Sequence, residues 1–192
     1  QVEIVEGDTF NLSKLREALQ DIDTAYYLIH SMGSESDFEE RDRVSAENFR
    51  DVCIECGVKR IVYLGGLGVK ESASKHLMSR IETGEILSAK SEAIQTLWFR
   101  AGIMIGSGSA SFEIVRNLVQ KLPVMVTPKW VTTLTQPIAI ADVLDYLASA
   151  LDVEVSGDLI VDIGTDAVSF KGMMKKTAGV MKLPRMMFPV PV

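Results

Sequence analysis

His76 and Arg80 stand four residues apart in HLMSR, so a helix would carry both on one face. An imidazole titrates near neutrality and can give or take a proton. A guanidinium offers a planar fork of donors suited to phosphate. Just upstream, RIVYLGGLG ends a β-branched run in the cluster Gly65-Gly66-Leu67-Gly68. The missing side chains there would let a flat ligand approach the backbone. His30 follows a second apolar run, Ala25-Tyr26-Tyr27-Leu28-Ile29. Gly106-Ser107-Gly108-Ser109-Ala110-Ser111 sets amide and hydroxyl donors ahead of a helix, where an anionic group is favoured. Each has a plainer alternative: a surface helix, a turn, a packed histidine, a serine-rich cap.

Several chemistries are excluded by spacing. A dinucleotide fingerprint needs G-x-G-x-x-G opening a helix, and after Gly66 and Gly68 the next required glycine falls on Glu71. The following helix begins only near Lys75, so the cluster is not a pyrophosphate cradle. Cys53 and Cys56 have redox-motif spacing but sit at the C-terminal end of their helix, where the dipole disfavours a thiolate. No metal site is expected, because two cysteines do not complete a zinc set and neither histidine is near them in sequence. Core packing is the reading for both thiols. Trp98 and Trp130 read as packing residues, and Met173, Met174, Met181, Met186 and Met187 as a soft apolar surface.

The totals narrow the class further. The 192 residues are 47% hydrophobic and 24% charged, with a net charge of −6, which suits one globular domain. No basic stripe offers itself to nucleic acid. No apolar run approaches the roughly 20 residues that span a bilayer. With two cysteines and no signal-peptide pattern, a cytoplasmic protein is expected.

The elements that must hold these residues alternate. Val2 to Glu6 reads as a strand, Asn11 caps a helix to about Gln20, and Ala25 to Ile29 is a buried strand. Asp42 to Cys56 reads as a helix closed by Gly57, and Val58 to Leu64 as a strand. A helix follows from about Lys75 to Ala89, then a strand from Thr96 to Ile105. Ser111 to Leu122 reads as a helix, Ile138 to Ile140 as a strand, Asp142 to Leu151 as a helix, Leu159 to Ile163 as a strand and Phe170 to Met181 as a helix. This order predicts an α/β fold with a parallel sheet covered on both faces. Ligands then bind beyond the carboxyl ends of the strands. The opening in strand pattern without Met, and the proline-rich close LPRMMFPVPV, suggest an internal piece of a longer polypeptide.

EGD after the first strand, GVKRIVYLGGLG, FRAGIMIGSGSASFE, QPIAIADV and DIG together resemble the short-chain dehydrogenase/reductase superfamily. The likeness is closest to its atypical members of the nucleoside-diphosphate-sugar epimerase type, near the NmrA-like branch. It runs along nearly the whole chain, and YLGGLG and RAGIMIGSGSASFE carry it most distinctively. The resemblance implies a Rossmann-like doubly wound parallel sheet, N-terminally truncated, with the glycine-rich phosphate loop upstream of this sequence. It implies a single partial domain over 1–192 with a substrate-side segment from about 106 to 192.

The same resemblance implies NAD or NADP as cofactor. Asp8 would take the adenine amino group, and His30, Ser31 and Met32 would line the ribose and pyrophosphate. Gly65, Gly66, Ala101 and Gly102 would lie beside the nicotinamide. Where relatives place Tyr-x-x-x-Lys this chain reads His76-Leu77-Met78-Ser79-Arg80, and glycines stand in place of their Ser or Thr. His76 is then the candidate acid/base and Arg80 the candidate holder of ribose or phosphate, with a surface-helix role for both as the alternative. Substrate would rest against Ser107, Ser109, Phe112, Trp130 and Gln136. The implied activity is oxidoreductase or epimerase chemistry on a small carbonyl or sugar-like substrate. The alternative is a catalytically impaired redox sensor or assembly partner for a regulatory protein. Relatives pair as homodimers through the helices at 42–56 and 75–89, which would divide Phe49, Val52, Ile81 and Ile86 between sheet and partner.

Overall fold

The computed structural model describes residues 2–31 and 37–190. The chain divides into two compact units, Gln1–Arg100 with Tyr146–Asp162, and Ala101–Asp145 with Ile163–Val192. Residues 146–162, inside the C-terminal segment of the sequence reading, thus belong to the first unit.

The first unit is built on a four-stranded sheet. Its strands are β1 (Thr24–Tyr27), β2 (Arg60–Gly66), β3 (Gln95–Ala101) and, from late in the chain, β8 (Leu159–Ile163), in that order across the sheet. β1 and β2 pair in parallel, with Thr24 opposite Arg60 and Tyr27 opposite Tyr63. Parallel neighbours need a crossover, and α2 (Phe38–Glu55) and α3 (Lys75–Leu87) supply it. The two helices pack on each other and therefore cover one face.

Alternation along β1 decides what each face meets. Tyr27 turns toward α2, where its ring lies 5.0 Å from Phe49 in a core with Leu15, Val52, Ile61, Tyr63, Ile81 and Trp98. Its neighbour Tyr26 turns the other way and donates to the Leu147 carbonyl at 2.7 Å. On that second face Phe99 meets Tyr146, and Arg60 donates to the Ala150 and Val153 carbonyls at 2.6 and 2.9 Å. Both faces are covered, as a parallel sheet requires. The α/β architecture with a parallel central sheet is the one the alternation of elements predicts.

Several expectations change: the strand expected from Thr96 to Ile105 ends at Ala101 and resumes only at Met104–Ile105. Residues 2–6 form no strand, and Val2 and Ile4 are 90% and 94% exposed. Their alternating pattern has no neighbouring edge to pair with among the described residues. α2 begins at Phe38, four residues before Asp42. β2 continues through Gly65 and Gly66, so these two glycines sit inside a strand and not in the turn after it.

The second unit is assembled from short pairs. β4 (Met104–Ile105) lies parallel to β7 (Ile138–Ala139), β5 (Val124–Thr127) parallel to β10 (Met186–Pro189), and β6 (Leu134–Thr135) antiparallel to β9 (Val168–Ser169). Around them pack α4 (Ala110–Lys121) and α6 (Phe170–Val180), with Val115, Val119, Met125, Val131, Met174 and Ala178 in the core. Met173 and Met174 are buried, whereas Met186 is exposed. The proline-rich close of the chain contributes a strand.

Candidate functional site

α3 is anchored at its start and again in its second turn. Ser74 caps it, accepting from the Leu77 amide at 3.3 Å, and this satisfies one of the free amides at the helix start. Tyr63 on β2 donates its hydroxyl to the Arg80 carbonyl at 2.8 Å, and Arg80 returns a bond from Nη2 to the Leu64 carbonyl at 3.0 Å. The helix is thus locked to β2 at the residue that bears the guanidinium. Burial pushes the Tyr63 phenol up to about 12, against the opposing influence of Arg80, so it acts here as a neutral donor.

His30, Ser31, Asp42, His76 and Arg80 line a cavity of about 300 Å³, just beyond the carboxyl end of β1. His76 is exposed and stacks on Phe38, with ring centroids 4.6 Å apart and 23° between planes. Arg80 is half-buried, and its Nε is buried without a hydrogen-bond partner among the described residues. The His30 imidazole lies below its ordinary range, chiefly through burial and then through Arg80, with Asp42 opposing. Its neutral form is favoured beside the guanidinium.

Asp42 is the member that the sequence pattern does not single out. It reads there as the start of a helix, yet it lies within α2, is 7% exposed, and accepts from the Ser31 amide and the Ser79 hydroxyl, each at 2.9 Å. An acidic residue three before Ser45 and seven before Phe49 falls on the inward stripe of a helix, and that spacing was the available signal.

The glycines have steric reasons that the turn reading lacks. A Cβ on Gly65 would lie 2.4 Å from Trp98 Nε1 and 2.9 Å from Tyr63 Cε1. On Gly66 and Gly68 it would meet the Leu77 methyls at 2.6 and 2.5 Å. The cluster lets α3 and Trp98 press close to β2.

Asp8 is exposed and accepts from the Phe10 amide at 2.9 Å in the turn before α1 (Leu12–Ala18). Thr9 beside it is buried and anchored, accepting from Ser45 Oγ at 2.8 Å and, through its carbonyl, from Asn48 at 2.9 Å. Met32 lies outside the described residues. In the second unit Ala101 is buried, and a Cβ on Gly102 would lie 2.3 Å from the Gln136 carbonyl oxygen. Gly102 and Gln136, read separately in the sequence, are therefore brought together. Ser109 caps α4 and donates to the Met104 carbonyl at 2.5 Å. Phe112 is half-buried on that helix and Ser107 is exposed ahead of it. Trp130 is 60% exposed and meets Phe170 edge to face at 5.6 Å. Cys53 is buried, its thiol pushed up to about 12 by that burial, consistent with packing. No cluster of metal-ligating side chains occurs among the described residues, and none of their helices is long and apolar enough to cross a membrane.

A family model described as NAD(P)H-binding matches residues 1–99, and the chain belongs to that family. No curated protein matches. Among solved structures, MoeE5 in complex with UDP-glucuronic acid and NAD is similar with a TM-score of 0.76 at 17% identity, over 98% of this chain and 72% of that one. The UDP-N-acetylglucosamine 4-epimerase from Bacillus cereus gives 0.76 at 14% identity, over 97% of this chain and 72% of its own. TunA, an NAD-dependent NDP-hexosamine 5,6-dehydratase, gives 0.70 at 14% identity, over 92% and 66%. The fold is that of these Rossmann-like proteins, and NAD(P) is the cofactor of the family. The cavity residues suit such a group, because the guanidinium of Arg80, which lines the cavity, offers a fork of donors to a ribose hydroxyl or a phosphate oxygen.

Proposed function

We propose that this protein is an atypical, NmrA-like short-chain dehydrogenase/reductase in which Arg80 holds NAD(P). The placement of Arg80 in the wall of the cavity beyond β1 is the observation that carries this reading. His30 and Ser31 would border the ribose and pyrophosphate, and Asp8 the adenine. NAD(P), when bound, supplies a hydride acceptor or donor. His76, exposed at the cavity and stacked on Phe38, would give or take the accompanying proton through its imidazole. A small carbonyl or sugar-like substrate would rest on Ser107, Ser109, Phe112, Trp130 and Gln136. The free thiols of Cys53 and Cys56 support a cytoplasmic location.

A second reading is favoured by Gly65. The space that a catalytic Ser or Thr would need there is filled by Trp98 and Tyr63, which supports cofactor binding without Tyr-type catalysis, as in a redox sensor read by a partner. Calorimetric titration with NAD(H) and NADP(H) tests the shared premise. Arg80→Ala should weaken binding about tenfold or more, the scale of losing hydrogen bonds to a charged group. Equal affinity in wild type and variant would refute the assignment of Arg80. With binding established, a screen of small carbonyl and nucleotide-sugar substrates divides the two readings. Turnover lost in His76→Ala at unchanged cofactor affinity supports the enzyme, and no turnover at all supports the sensor.

A further inference from the structure

Asp42 sits on α2, yet both of its hydrogen bonds leave that helix. One carboxylate oxygen accepts from the Ser31 amide in the segment after β1, and the other from the Ser79 hydroxyl on α3. Ser31 follows His30, and Ser79 lies between His76 and Arg80 on the helix. The two walls of the cavity are therefore tied through one side chain. Ser79 is 3% exposed and Asp42 7% exposed, so neither bond competes freely with water. A buried carboxylate is costly without partners, and bonds to a charged acceptor are the stronger kind. Ser79 gives α3 a tie to α2 one residue before Arg80, beside the Tyr63 and Leu64 bonds that hold Arg80 to β2. The backbone beside His30 is set at Ser31.

Resting on the proposal that Arg80 holds NAD(P), we infer that Asp42 is a positioning residue that acts through Ser31 and Ser79 to aim His30 and Arg80 at the nucleotide. It touches no ligand itself. Its charge reaches the cavity as well, since Asp42 opposes the lowering of the His30 pKa.

The test is a double-mutant cycle in the complete chain, read as NADH and NADPH affinity by calorimetry at a temperature where every variant is folded by circular dichroism. Ser79→Ala removes one bond with a small volume change, and Asp42→Asn keeps the size of the carboxylate but removes its charge, so that the Ser79 hydroxyl must reverse to accept from the amide and neither bond is charge-assisted. Asp42→Asn should weaken binding about tenfold, and Ser79→Ala by a smaller factor. In an Arg80→Ala background Ser79→Ala should have almost no further effect, because contacting groups couple while independent ones add. An effect of Ser79→Ala that does not pass through Arg80 would lower affinity by the same factor in both backgrounds, and that result overturns the inference. In Asp42→Asn the His30 imidazole, followed by its NMR shifts, should titrate lower than in wild type, and an unmoved His30 counts against the coupling. Wild type that binds neither nucleotide refutes the reading beneath the inference. Wild-type binding with unaffected Asp42→Asn and Ser79→Ala refutes the inference alone.

Discussion

At Gly65 one missing methyl group decides what the strand can carry. Trp98 Nε1 occupies the volume of a Cβ at 2.4 Å, and the indole is itself pressed between Gly65 and Gly84. Because the obstructing atoms belong to a rigid ring in a packed core, Gly65→Ala should cost about 1–3 kcal/mol, the range for overpacking. Urea unfolding measures this as a fall in midpoint without a change in slope. Gly66→Ala meets the end of the flexible Leu77 side chain and should cost less. Equal effects at the two positions would mean that Trp98 yields as easily as Leu77. By the same argument Gly65→Ser would not restore a hydroxyl to the site; it would displace Trp98.

At the scale of elements, α2 and α3 use their apolar residues inward. Phe49, Val52 and Ile81 are buried in the first unit's core, and Ile86 is packed against it. Outward, the helices carry ion pairs: Arg43 to Glu82 at 2.8 Å between them, Arg43 to Glu40 at 2.5 Å within α2, and Glu85 of α3 to Lys70 in the turn before it at 2.5 Å. A stable dimer interface is depleted of charge at its centre, so this face should not associate. Sedimentation of Glu82→Lys should match wild type, whereas a dimer lost on that substitution would restore the homodimer expected from the resemblance. In α6, a Cβ on Gly179 meets nothing within 4 Å, so Gly179→Ala should raise stability by about 0.5–1 kcal/mol. A lowered thermal midpoint would contradict the open space around it.

For the molecule as a whole, buried neutral acids set the alkaline limit. Tyr27, Tyr63 and Cys53 are each pushed up to about 12, first by burial, from ordinary values of 10.0, 10.0 and 9.0. The unfolded chain gives up these protons first, so above about pH 9 it binds fewer protons than the folded one, and stability falls as pH rises. Thermal midpoints should decline from about pH 9 to about 12. Tyr27→Phe should flatten part of that decline, and an unchanged slope would place the titration elsewhere. On the acid side His30, lowered from 6.5, contributes stability that is present above 6.5 and lost as pH falls through its folded value.

The sequence alone determined what depends on local pattern. Asn11 caps the helix it precedes, Gly57 closes α2 at a φ of +77°, and the apolar runs at Ala25 and Ile61 are buried strands. The i, i+4 spacing of His76 and Arg80 sufficed to place both on one cavity wall. Tertiary structure decided whatever needs a distant partner. Residues 2–6 alternate like a strand but gain no ladder, while β5 and β10 exist because segments some sixty residues apart hydrogen-bond each other. The glycines of YLGGLG are explained by Trp98 and Leu77, which no local rule connects to them. Asp42 gained its place only when two other segments brought their donors to it. A hydrogen bond or a filled volume is a property of pairs, and a pair remote along the chain is specified only once the chain has folded.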